Sequence, residues 1–399
     1  MSGREVTIRT LTAAAEIDAA DWDRLANPPV REDAAAAFDY NPFLTHAFFD
    51  ACEKSGSACP ETGWLAQHLL LVDADGRALG LLPCYLKNHS QGEYVFDHGW
   101  ADAFERAGGQ YYPKLQASIP FTPATGRRLL VGNGEDAEQR RLMLGAGLQE
   151  VCRRHGTSSA HTTFLPKDEW EGLGSQGYLQ RNDQQFHWKN NGYKSFDEFL
   201  NELSSAKRKV IRKERRRALE DNGVTIEWLT GAQLTEEIWN DFYQFYIDTG
   251  SRKWGQPYLT RDFYTRIGKS MADDILLIMA KREGRYVAGA INFVGSHTLF
   301  GRHWGCVEDH PFLHFEVCYY QAIDYAIANG LARVEAGAQG EHKLARGYMP
   351  QITYSAHYIP HPGFRDAVED YLEHERAAVE RESRLIAEHG PFRKAAKND

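Results

Sequence analysis

Apolar positions along this chain fall into two similar series. Around Leu69 the sequence HLLLVDADGRALGLLPCYL sets two apolar runs either side of Asp73-Ala74-Asp75-Gly76. Around Leu276 the sequence ILLIMAKREGRYVAGAINFV does the same either side of Arg282-Glu283-Gly284. Short apolar runs joined by a turn with a glycine predict β-hairpins. Each hairpin is followed by a helical stretch that ends in glycine, at Gly156 and at Gly330, the residue that best tolerates the left-handed stop of a helix. A strand-like run comes next, then Gly177-Tyr178 in one series and Gly347-Tyr348 in the other. Nine residues beyond each tyrosine stands a histidine followed by an aromatic, His187-Trp188 and His357-Tyr358. The recurrence predicts an α/β (α+β) chain built as two copies of one unit, residues 1–190 and 191–399, each a small mixed sheet covered by helices.

Outside the shared pattern, the opening 60 or so residues read as short helices, among them Pro42-Phe43-Leu44-Thr45-His46-Ala47-Phe48-Phe49. Residues 88–134 have little periodicity and are dense in Tyr, Trp, His, Gly and Pro, with no counterpart in the second copy. An insertion of this length is expected to be a functional or mobile loop, and Tyr94 and His98 within it are candidate substrate contacts. Ser195-Phe196-Asp197-Glu198 is a capping box, and it predicts one helix running to about Asn222. Its apolar face would be Phe199, Leu203, Ala206, Val210 and Ile211. The other face, with Lys207, Arg208, Arg212, Arg215 and Arg216, is a candidate polyanion-binding surface. A second amphipathic helix, through Val368, Tyr371, Leu372, Val379, Leu385 and Ile386, forms the C-terminal tail and could dock intramolecularly or make a homodimer from a monomer.

Composition narrows the class. With 42% hydrophobic and 25% charged residues, the chain has the make-up of a globular protein. No window approaches the ~20 apolar residues needed to span a bilayer, so no membrane insertion is expected. Six cysteines without a C-x-x-C pair point to reduced thiols and a cytoplasmic location. A formal charge of −9 argues against bulk nucleic-acid binding. No spacing of His, Cys, Asp and Glu typical of a metal site occurs, and no metal is expected.

The order hairpin, helix, strand resembles the GNAT acyltransferase superfamily. More narrowly, the basic run KRKVIRKERRR and the late segment Glu335-Ala336-Gly337-Ala338-Gln339-Gly340-Glu341-His342-Lys343-Leu344-Ala345-Arg346-Gly347 resemble the tandem-GNAT branch that contains the Fem-type aminoacyltransferases. The runs HSQGEYVFDHGWAD, YYPKLQASIPFTPATGRRLL and LHFEVCYYQAIDYA are similar to a bacterial group of N-acyltransferases described as peptidoglycan biosynthesis or recognition proteins. This resemblance implies two tandem GNAT-like domains and an acyl or aminoacyl transfer to a small-molecule or peptide amine acceptor, with the acceptor between the halves. It also implies that Lys343 lies near the reacting carbonyl, where an ammonium stabilises developing negative charge.

Aligned on their Gly-Tyr pairs, the second copy has Glu341-His342-Lys343 where the first has Glu171-Gly172-Leu173. An exposed loop is the plain alternative. A base must also take a proton from the acceptor amine. Glu335 and His342 are the candidates, with Glu341 beside them, and His314 and Glu316 are near enough in sequence to join. Arg302 and Trp304, in GRHWG, lie where a GNAT sheet opens toward its ligands, and Arg346 closes the segment. Neither copy has a glycine-rich pyrophosphate turn before its central helix, and Glu308 and Asp309 would repel one. Of the two donors, acyl-CoA and an aminoacyl-tRNA, this departure leans toward the aminoacyl-tRNA, with tRNA a possible partner of the basic helix. A non-catalytic protein that recognises a peptidoglycan precursor or another amine-bearing ligand is the alternative function.

Overall fold

The structure is a computed structural model that describes residues 6–28, 39–253, 257–337 and 340–393. It divides into two compact units, residues 1–183 with 352–380, and residues 184–351 with 381–399. The contiguous division expected near residue 190 differs from this, because residues 352–380 pack with the first unit. Ala356, Phe364, Val368 and Leu372 are buried there among first-unit side chains.

In the first unit the expected hairpin forms from His68–Asp73 and Ala78–Leu82. It belongs to a three-stranded sheet with Val6–Leu11, so the opening segment contributes a strand as well as short helices. The unit's main sheet takes Trp64–Ala66, Tyr85–Lys87, Lys114–Ala117, Ala160–Leu165 and the second half of Met349–Tyr358. Its two faces differ. Leu115, Ala117, Ala160 and Ala356 join the apolar core under the helix Ala137–His155. On the opposite face, Tyr85, Gln116, His161 and His357 stand opposite one another in register across four strands, and Lys87 stands beside Lys114.

That polar row is covered by the first part of the insertion, which is more structured than its composition suggests. It holds the helix His98–Arg106 and supplies the strand Lys114–Ala117 itself. Lys114 donates to Glu93 at 2.6 Å and to Asp97, and the Tyr111 hydroxyl donates to Asp97 at 2.6 Å. All of these groups are buried.

In the second unit the strands run in the order Leu179–Lys189 (its second half), Arg333–Glu335, Thr298–Cys306, Arg285–Val294, Ile275–Arg282 and Val224–Leu229. The hairpin Ile275–Arg282 with Arg285–Val294 turns at Glu283-Gly284, both at positive φ. Gly156 and Gly330 follow their helices at φ 63° and 66°, and Gly177 and Gly347 have φ 86° and 89°, so the glycines of the sequence pattern sit in the left-handed conformation that favours them.

The predicted basic helix is two helices, Phe196–Glu202 and Ser205–Leu219. Leu203 between them is extended and bridges Phe392, while the Ser204 amide donates to the Pro391 carbonyl. Backbone pairing with residues 391–393 replaces the helical bonds at that point. The buried face of the second helix is Ile211, Glu214 and Ala218, not Val210, which is half exposed. Along Pro362–Glu388 the buried positions are Phe364, Val368 and Leu372, whereas Tyr371 and Leu385 are exposed. Among the described residues no helix is long and apolar enough to cross a membrane.

Candidate functional site: a fork in the second-unit sheet

The site starts from a strand that loses a neighbour. Thr298–Cys306 and Arg333–Glu335 run parallel through three pairs, Thr298↔Arg333, Leu299↔Val334 and Phe300↔Glu335. On its other side the first of these strands follows Arg285–Val294, but between Ala290 and Asn292 the register slips, so that Ala290 faces Trp304 and Asn292 faces Gly301. One extra residue is thereby accommodated in the Gly301–Trp304 stretch. Such a bulge bends its strand and raises its twist. Gly305 fixes the far end: a Cβ there would lie 2.0 Å from the Phe245 carbonyl oxygen, so only glycine lets the helix Glu236–Lys253 pack this closely. Across the fork the chain turns away at Gly337, at φ 80°.

The turn on that side is the 3-10 helix Glu341–Arg346. Lys343 within it is 2% exposed, which removes the exposed-loop alternative for this residue. Its Nζ donates to the Gly337 carbonyl at 3.0 Å. Burial pushes its pKa down to about 8, opposed by Cys318 and reinforced by the Arg302 cation. Burial disfavours the charged form of an amine, so this ammonium sheds its proton more readily than a surface lysine.

His342, beside it, is exposed, and its Nε2 lies 2.9 Å from the Tyr319 hydroxyl. The Glu341 side chain lies outside the described residues. Glu335, the last paired residue of its strand, is buried, with Oε1 3.9 Å from Nδ1 of His187. The His187 ring is pushed down to about 3 by burial and by the cations Arg333, Lys343 and Lys189. It is therefore neutral at physiological pH, and the contact is not an ion pair.

Facing the fork is the helix that begins at Leu313. Residues Glu316–Tyr320 form a π-helical turn before regular helix resumes at Gln321. Such turns are rare and occur often at functional sites. The turn is anchored by Glu316, which accepts from Arg215 at 2.8 and 3.1 Å and from Gln321 at 2.7 Å. It carries Tyr319 toward His342. A cavity of about 400 Å³ opens beside it, lined by Trp304, His310, Phe312, His314 and Phe315 among others. The His342 ring lies 5.7 Å from Phe315 and 6.2 Å from His314 of that lining.

Trp304, His314, His342, Lys343 and Glu335 thus belong to one region, with Arg302 on the bulge. Glu316, Arg215 and Arg346, expected as ligand contacts, have their charges paired within the unit instead. Glu316 and Arg215 are spent on each other, and Arg215 also donates to Asp324 at 2.6 Å. Arg346 donates to both carboxylate oxygens of buried Glu214, at 3.0 and 2.9 Å, and to the His342 carbonyl at 2.7 Å. Their charges are satisfied inside the unit, as buried charges must be. Tyr94 and His98 belong to the first unit.

Among the basic-helix residues, Arg212 is exposed and pairs with Asp197 at 2.9 Å, Arg216 is exposed, and Lys207 and Arg208 are half-buried. Glu308, expected to repel a phosphate, is paired with Arg285, His310 and Arg282 at 2.6, 2.9 and 3.4 Å. Tyr319 was missed in the sequence because it sits in the apolar run FEVCYYQAI, where helical periodicity reads it as core.

A mixed sheet that splays at a bulged strand, covered by helices, is the GNAT-like fold class that the sequence resembles. Residues 13–394 match the FemAB-like family, described as peptidoglycan biosynthesis/recognition, and the chain belongs to that family. Among solved structures, it is similar to the C-terminal domain of a putative lysylphosphatidylglycerol synthetase from Agrobacterium fabrum, at 11% identity and TM-score 0.52, with 90% of this chain and 96% of that one covered. A conserved protein of unknown function from Bacteroides thetaiotaomicron is similar at 13% identity and TM-score 0.50, covering 88% and 99%. FemX matches at 13% identity and TM-score 0.49, covering 79% and 93%. No curated protein matches the sequence.

Proposed function

We propose that the chain is a cytoplasmic N-acyltransferase that moves an acyl or aminoacyl group onto an amine acceptor, a peptidoglycan precursor being the acceptor class its family suggests. The observation that carries this reading is the buried amine of Lys343 at the fork. Its described hydrogen bond goes to one neutral carbonyl, which leaves N–H donors for a substrate. Below pH about 8 it is an ammonium buried from solvent, where a charge acts strongly on a developing oxyanion.

In the proposed reaction the acceptor nitrogen attacks the donor carbonyl and the C–N bond forms. The oxyanion is held by Lys343, and the proton lost from nitrogen goes to Glu335 or His342. Collapse of the tetrahedral intermediate then expels the donor's thiol or tRNA hydroxyl, which takes up a proton. The exposed Lys209, Arg212, Lys213 and Arg216 favour a polyanionic donor.

The test is to offer acetyl-CoA and aminoacyl-tRNAs with lysine- or diaminopimelate-bearing muropeptides and to read acylated product by mass spectrometry. Product that depends on Lys343 supports the reading. Acceptor binding without product from any donor would instead make the chain a recognition protein.

A further inference from the structure

A cavity in the first unit plays no part in the proposed reaction. It has about 720 Å³ of space between the insertion helix His98–Arg106 and the start of the helix Pro362–Glu388. That volume is ordinary for a small-molecule site. Its walls are Trp100, Phe104, Phe364 and Val368, while Gly99 and Gly108 present bare backbone, where an added Cβ would stand in open space. Phe96 and Tyr371, at 54% and 50% exposure, are large apolar residues left in solvent, and both line this same cavity. An exposed apolar rim around an apolar hollow marks a binding site rather than a random surface.

The polar groups of the lining decide the class of occupant. Arg181 stacks 5.0 Å from the Trp100 ring and is ion-paired with Glu375, so the lining presents no net charge to a cation or an anion. Its charge is paired: Nε and one terminal nitrogen donate to Glu375, each at 2.7 Å, and the other terminal nitrogen donates to the Phe96 carbonyl at 2.8 Å. An anion therefore finds its charge already matched. The Tyr371 hydroxyl donates to Glu375 as well, at 3.0 Å. The His361 Nδ1 accepts from the Phe364 amide at 3.1 Å. Charge complementarity thus selects an uncharged apolar body.

We propose that this cavity binds the hydrocarbon tail of an amphiphile whose head group stays outside in solvent. Nothing in it reads a head group, and the helix His98–Arg106, part of a segment with no counterpart in the second half of the sequence, forms one wall.

The experiment is isothermal titration of the full chain with dodecylphosphocholine below its micelle concentration, with phosphocholine and dodecanoate as separate arms. The expected result is saturable binding of both dodecyl probes with similar affinity and none of phosphocholine. Ala103 and Ala367 line the cavity on exposed helix faces, so Ala103→Trp and Ala367→Trp fill it without disturbing the core. Each should weaken tail binding by at least roughly tenfold. No binding to the parent at about 1 mM probe, equal binding to parent and both variants, or a strong preference for dodecanoate would each overturn the proposal. So would a parent dimer that either tryptophan dissociates, since the occupant would then be a second copy. None of these readouts uses turnover, so the transferase reading stands or falls separately.

Discussion

Arg346 and Glu214 form a buried ion pair that ties the turn carrying Lys343 to the basic helix. Both carboxylate oxygens are engaged, at 3.0 and 2.9 Å, and the Tyr320 hydroxyl donates to the same group. The Arg346 guanidinium also stacks 3.4 Å from the centre of the Phe315 ring, so one side chain sets the spacing between turn, helix and cavity wall. Removing one partner leaves the other charge buried and alone. Arg346→Met and Glu214→Gln should each destabilise the chain by about 3–5 kcal/mol. Urea denaturation of the two variants checks this, and near-parental midpoints would show that the pair is solvated.

The exposed side of the basic helix makes a separate prediction. Lys209, Arg212, Lys213 and Arg216 face solvent, whereas Arg215 is held by Glu316 and Asp324. If the surface binds tRNA or another polyanion, replacing Arg212 and Arg216 with glutamate should weaken binding and flatten its salt dependence by about one unit of slope per lost phosphate contact. Arg215→Lys should change stability more than polyanion affinity. Filter binding at several salt concentrations separates the two outcomes. Affinity untouched by the double reversal would leave the stripe a solvated face.

Hairpins, helix stops and the glycine conformations were legible because they follow from local rules of period and φ. The fork was legible in part: the run GRHWG and the segment from Glu335 to Gly347 were singled out, and they do flank it. What single positions could not reveal was pairing at a distance. Arg215, Glu316 and Arg346 look like free charges in sequence, and only the fold shows each matched across 101 or 132 residues. The insertion was misread for a similar reason. Its helix and strand are stabilised by long-range burial of Trp100, Tyr111 and Lys114, which period analysis does not weigh.

That buried layer gives a pH prediction. Burial raises Glu93 to about 7, with Lys114 pulling the other way, and burial lowers Lys87 to about 7. For Glu93 the folded state holds the proton more tightly than the unfolded one, so stability falls as pH rises from about 4.5 to 7. For Lys87 the unfolded state holds it more tightly, so stability rises again from about 7 toward 10.5. The pair therefore contributes a trough near neutrality. Glu93→Gln should remove the falling limb in a series of denaturation curves. Lys114→Met, which strands Asp97 and Glu93 together, should cost about 3–5 kcal/mol at pH 7. A flat profile in the parent would mean that neither group is titrating in this window.

Lys343 should trade stability for chemistry. Its folded pKa of about 8 lies below the 10.5 of a free lysine, so below pH 8 the folded state carries a buried ammonium at a cost, and stability rises as pH climbs from about 8 to 10.5. That difference corresponds to about 3 kcal/mol at most, less the hydrogen bond to Gly337, which is about 1 kcal/mol. Lys343→Met keeps most of the side-chain length and removes the charge. The variant should be more stable than the parent at pH 7 and should lose the rise between pH 8 and 10.5. If the ammonium stabilises a tetrahedral oxyanion, turnover should drop on the order of 100- to 1,000-fold, about 3–4 kcal/mol, with a much smaller change in KM because that charge exists mainly in the transition state. A residue kept only for packing would show neither a gain in stability nor a loss of turnover. A variant that is less stable and equally active would remove Lys343 from the proposed site.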